Sequence, residues 1–121
     1  MSEESVINHK ALEEIKSLQS RNGSDLLTKI INIYLDKSES LCDEIGMGAT
    51  EKNEEQLWVN AHSLKSSSAS VGAMRVFEIC SALENKGRAG DLNDVEPLVT
   101  LLQEELALAA AELHMILQQD S

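Results

Sequence analysis

His62 is the side chain in this sequence whose surroundings are best suited to chemistry. It stands in the run Asn60-Ala61-His62-Ser63-Leu64-Lys65-Ser66-Ser67-Ser68-Ala69-Ser70-Val71-Gly72-Ala73, where Leu57, Ala61, Leu64 and Val71 recur at spacings of four, three and seven. That recurrence puts the four apolar residues on one helix face turned to a core. His62 is rotated by about 100° from Ala61, so it lies beside the stripe and is offered to solvent. Trp58, Val59, Lys65 and Ser66 are its neighbours one turn away, with Ala69 a second turn on. An imidazole ordinarily titrates near about 6.5, so at neutral pH most rings keep a free nucleophilic nitrogen. An ammonium three residues on favours that neutral ring and pairs with negative charge brought to it. Small side chains at Ser66 and Ala69 keep the surface low, so that a second protein can bring an aspartyl phosphate up to the ring. The chemistry implied is phosphoryl transfer between proteins. Ser66, Ser67 and Ser68 read as small surface and packing residues, because no acid or second histidine stands at a helical offset to activate a hydroxyl. Trp58, the lone tryptophan, fits packing against a neighbouring helix and contact with a partner equally well.

The segments that must position His62 are all helical in pattern. Asn8 can cap a first short helix with Ala11, Leu12, Ile15 and Leu18 as its stripe, broken at Arg21-Asn22-Gly23. Ser24 caps a second, over 24–46, with Leu27, Ile30, Ile31, Tyr34, Leu35, Ser38, Leu41, Cys42 and Ile45 inward; it ends at Gly46, and Gly48 falls in the turn. Asn53 with Gln56 makes a capping box for the histidine helix, 54–70. Gly72 marks a tight connection to a helix over 73–87 carrying Val76, Phe77, Cys80, Leu83 and Glu84, which stops in the turn Gly87-Arg88-Ala89-Gly90. Asn93 or Asp94 caps the last helix, 95–118, with Pro97 in its first turn; Leu98, Leu101, Leu102, Glu105 to Leu108 and Leu113 to Leu117 carry it onward, and this long Leu/Ala surface, Met115 included, is expected to cover the bundle. Residues 118–121 are expected to fray. The fold expected is an all-α antiparallel four-helix bundle in one domain, 1–121, with the short first helix capping one end.

Composition agrees. A chain of 121 residues, 42% hydrophobic, suits one core that removes roughly two-thirds of the unfolded surface from water. Tyr34, Trp58 and Phe77 are the only aromatic residues, so the core is aliphatic, as in packed helices. A formal net charge of −11 argues against nucleic acid and against an anionic membrane surface as partners. Cys42 and Cys80 lack metal-ligand or redox spacing and read as buried thiols in a reducing cytosol. His9, His62 and His114 form no zinc-like pattern, and no apolar run reaches the roughly 20 residues needed to span a bilayer.

The run His62 to Ser68, preceded by Ala61 and followed by Val71-Gly72-Ala73, resembles the signature of histidine-containing phosphotransfer (HPt) domains of bacterial phosphorelays. Cys80, Leu83 and Glu84 are similar to the family's pattern on the next helix, and Asn53 falls where the family usually caps the histidine helix. The family commonly has glycine at the positions of Ser66 and Ala69, which here remain small. The resemblance implies that His62 accepts a phosphoryl group from the receiver-domain aspartate of a hybrid histidine kinase and passes it to the receiver of a response regulator. It implies that Lys65 steadies the phosphoryl oxygens and that the receiver supplies Mg²⁺, the chain having no cofactor of its own. Trp58, Val59, Ser66 and Ala69 are then docking contacts, and Arg75, Lys86 or Arg88 would meet an acidic receiver. No nucleotide-binding motif is present, so the expectation is a transfer intermediate and not an enzyme with its own ATP site. The initial methionine and polar tail favour a free-standing shuttle, the resemblance implies a monomer, and the cysteine usage without a signal peptide favours a cytoplasmic one. The alternatives are the phosphoacceptor domain of a larger histidine kinase and a non-catalytic helical adaptor or kinase inhibitor.

Overall fold

The computed structural model describes residues 7–22 and 26–119, and for 18–22 the backbone only. Five helices follow one another: α1 (His9–Asn22), α2 (Leu26–Glu51), α3 (Glu54–Val71), α4 (Met74–Ala89) and α5 (Val95–Gln119). Helices α2 to α5 form the antiparallel bundle, α3 packing between α2 and α4, and α5 closing the ring against both. Helix α1 touches α2 and α3 at one end, and His9 Nε2 lies 2.6 Å from Glu112 Oε2 of α5. The expected stripes form the core. Leu57, Ala61, Leu64 and Val71 meet Leu27, Ile31 and Ile45 of α2, Val76 and Leu83 of α4, and Leu102 and Leu113 of α5, all buried. Cys42 and Cys80 join them, and burial pushes the Cys80 thiol up to about 12.

Several boundaries differ from expectation, each for a packing reason. Helix α2 runs past Gly46 and Gly48 to Glu51. Gly48 is buried inside it because a Cβ there would come 2.7 Å from the backbone nitrogen of Leu57, so the glycine permits the close approach of α3 and makes no turn. The turn is Lys52-Asn53, with Lys52 at φ 57°. Gly87 likewise lies within α4, giving room to Trp58, and Gly90 at φ 72° is the residue that ends the helix. Half of the expected capping box forms: the Gln56 amide donates to Asn53 Oδ1 at 3.1 Å. The Gln56 side chain reaches Glu44 at 2.9 Å instead, and the Asn53 amide donates to the carbonyl of Gly48. Leu101, Leu108 and Met115 of α5 are exposed; at about 100° per residue they fall far around the helix from Val99, Leu102 and Leu113. The proposed cap Ser24 and the chain ends 1–6 and 120–121 lie outside the described residues, as does the side chain of Leu18.

Candidate functional site

Helix α3 brings His62 to the surface midway along its length. Asn53 satisfies its first turn, Glu54 and Glu55 complement its positive end, and Gly72 at φ 78° closes it with bonds to Ala69 and Ser68. Register is held from below by Ser68, fully buried, whose hydroxyl bonds Tyr34 of α2 at 2.8 Å. Ser67 and Ser70 turn their hydroxyls back to the carbonyls of Ser63 and Ser66. None of the serines is placed as a nucleophile.

His62 has about half its side chain exposed, and its Nδ1 lies 3.0 Å from Glu84 Oε2 on α4. Two-residue Gly72-Ala73 folds α4 back on α3, which brings Glu84 level with His62 although 22 positions separate them. Glu84 is the centre of the site. Its side chain is 7% exposed, yet Lys65 Nζ stands 2.7 Å from Oε1 and Arg88 Nε donates to Oε2 at 3.0 Å. Oε1 receives no aligned donor, so the Lys65 contact is an ion pair more than a directed hydrogen bond. Burial alone would raise the Glu84 carboxyl; Lys65, Arg88 and His62 outweigh it and hold the group at about 2. A carboxylate ionised at every physiological pH can only accept. In the neutral ring the proton therefore lies on Nδ1, facing Glu84, and the lone pair is on Nε2.

The expected residues are divided by this geometry. His62 and Lys65 share Glu84, while Val59, Ser66 and Ala69 are exposed on the outward face of α3 around His62. Trp58 is half-buried, with the Arg88 guanidinium 3.9 Å above its ring, so packing accounts for it. Arg75 is not brought to the site: it sits in the first turn of α4, with Nη1 3.6 Å from Glu105 Oε2 of α5. Lys86 pairs with Asp91 at 3.4 Å. Each of these cations already faces a carboxylate of its own chain. Glu84 was legible only as a position in the family-like pattern, without a role; the signal for one was an acid set on the apolar stripe of Val76, Cys80 and Leu83, four residues before Arg88. Among the described residues no group of three or more His, Cys, Asp or Glu could hold a metal ion, and no helix is long and apolar enough to cross a membrane.

A four-helix bundle with a half-exposed, carboxylate-oriented histidine on its second long helix defines a class of histidine-bearing helical modules. The chain belongs to the Hpt domain family, which it matches over residues 29–112. It is 31% identical over 91 residues to the phosphorelay protein LuxU of Vibrio harveyi, covering 74% of this chain and 75% of that one. The fold is that of histidine-containing phosphotransfer protein B (HptB) from Pseudomonas aeruginosa PAO1, with a TM-score of 0.83 at 22% identity over 93% of this chain and 95% of that one. It is also that of ZmHP2 from maize, with a TM-score of 0.86 at 17% identity over 96% and 86%.

Proposed function

We propose that the chain is a phosphorelay intermediate in which His62 takes a phosphoryl group from a receiver aspartate and gives it to a second receiver. The observation that carries this reading is the Glu84 contact at 3.0 Å on Nδ1, which in the neutral ring puts the proton on Nδ1 and leaves the Nε2 lone pair directed away from Glu84. In the forward step the Nε2 lone pair attacks phosphorus, the N–P bond forms, and the P–O bond to the aspartate breaks with its electron pair leaving on the carboxylate. The ring, still protonated at Nδ1, becomes cationic, and Glu84 stabilises that charge as it develops. Lys65, one turn from His62, is within reach of the phosphoryl oxygens by rotation of its stem away from Oε1. The second transfer is the reverse chemistry on another aspartate. Mg²⁺ would be held by the receiver's own residues and would offset negative charge on the phosphoryl group during transfer. Val59, Ser66 and Ala69 form the docking surface, and the chain acts as a cytoplasmic monomer without an ATP site of its own.

The test is transfer of labelled phosphate from a panel of phosphorylated receiver domains in the presence of Mg²⁺, comparing wild type with His62→Gln. Acid-labile, base-stable label on wild type and none on the variant is the expected result. A folded wild-type chain that takes label from no receiver, or a His62→Gln variant that labels equally, overturns the reading in favour of an adaptor.

A further inference from the structure

The bundle has a second open feature, on the seam opposite the α3–α4 pair that carries His62 and Glu84. Between α2 and α5 lies a groove of about 480 Å³. Ser38 and Cys42 on α2 and Leu106 on α5 are buried at its floor, Leu35 and Ala110 are half-buried along its sides, and Ala107 is exposed at its edge. Glu39 and Asp43, one turn apart on α2 and both exposed, form its rim. None of the described residues lining it is Lys or Arg. The lining runs from Leu35 to Asp43 on one wall and from Gln103 to His114 on the other, which at the helical rise is about 12 Å and about 16 Å. That is two to three turns of a helix.

We propose that this groove seats a short amphipathic helix of a partner protein, its apolar face on the floor over Cys42 and its lysines or arginines against Glu39 and Asp43. The trough between two helices, with small residues at its base, has the shape that helix-in-groove recognition uses, and the acidic rim selects the charge of the occupant. A second copy of this chain is disfavoured, since each brings a formal net charge of −11 and would set acidic rim against acidic surface. Because the groove and His62 lie on opposite seams, the partner leaves the ring accessible. The proposal does not depend on His62 being phosphorylated.

The probe is a synthetic leucine–lysine amphipathic peptide of about three to four helical turns, with its leucine–glutamate counterpart as control, titrated into the isotopically labelled full chain and followed by NMR. Expected are amide shifts confined to the two groove walls, with the glutamate peptide inert and His62→Gln binding as wild type does. Ala110→Trp fills the groove without changing net charge and should weaken binding about tenfold or more. Should that variant fail to fold, Ala107→Leu on the more exposed wall carries the same test. Glu39→Lys with Asp43→Lys should weaken it more than Glu96→Lys with Glu104→Lys, an equal charge change at exposed sites outside the groove. Shifts spread over the whole acidic surface or centred on Val59 to Ala69, groove-filled variants that bind like wild type, or a concentration-dependent dimer that buries the groove would each overturn the proposal.

Discussion

Replacing Glu84 with glutamine keeps the shape of the side chain and one acceptor oxygen but removes the charge on which three side chains converge. In the wild-type protein Oε2 accepts from His62 and from Arg88, each at 3.0 Å, and Oε1 faces Lys65 at 2.7 Å. A hydrogen bond to a charged group contributes about 1.5–3 kcal/mol and a neutral one about 1 kcal/mol. The difference, about 1–2 kcal/mol, acts on the cationic ring of the transition state and corresponds to transfer slower by about 5- to 30-fold. The glutamine can also rotate to offer its NH₂ to Nδ1, which frees the opposite tautomer. Phosphorylation of His62 by inorganic phosphoramidate gives a rate that needs no cognate receiver, and imidazole ¹⁵N shifts report the tautomer directly. Stability supplies an independent readout. Glu84 ordinarily titrates at 4.5 and is held at about 2 in the folded chain, so within that window the unfolded state binds more protons and stability rises with pH. The contribution is fully present above about 4.5 and is lost as pH falls towards about 2; denaturation of wild type should show this acid limb and Glu84→Gln should flatten it. Wild-type phosphorylation rate, unchanged tautomer and an unchanged acid limb in Glu84→Gln would refute the assignment of Glu84 as the residue that positions His62.

The two glycines inside α2 should behave oppositely. Gly48→Ala drives a Cβ to 2.7 Å from the Leu57 nitrogen and should cost about 2–3 kcal/mol in urea denaturation. Gly46→Ala meets Val99 Cγ1 at an ordinary 3.8 Å and should stabilise by about 0.5–1 kcal/mol; equal effects at the two positions would contradict the packing described. Tyr34→Phe leaves the buried Ser68 hydroxyl without its 2.8 Å partner and should cost about 1–3 kcal/mol, with Ser68→Ala added to it recovering part of the loss. A double variant no more stable than Tyr34→Phe would deny the bond that role. Lys52→Gly relieves a left-handed backbone at φ 57° and should raise the thermal midpoint by an amount equivalent to about 1 kcal/mol; a lowered midpoint would show that the turn carries no such strain.

Local periodicity determined much of this protein. Leu57, Ala61, Leu64 and Val71 recur at helical spacing, so the inner face of α3 and the outward side of His62 follow from one helix read alone, as do the order of the helices and the reversal at Gly72. The exposure of the His62 ring was legible for the same reason: everything it needs for exposure lies within two turns. Partners across helices were not legible, because helical spacing says which face a residue occupies and nothing about what stands opposite it. Glu84 meets His62 only once the Gly72-Ala73 turn and the packing of α4 on α3 have set the register. Arg75 offers its charge to Glu105, 30 positions away, for the same reason. Gly46 and Gly48 look alike in sequence as helix breakers, and the backbone of α3 beneath Gly48 is what makes one of them indispensable to packing. Which way the ring proton points, which cations are already engaged and where α2 and α5 leave a groove are properties of helices against helices, decided by how their ridges, small residues and charges fit.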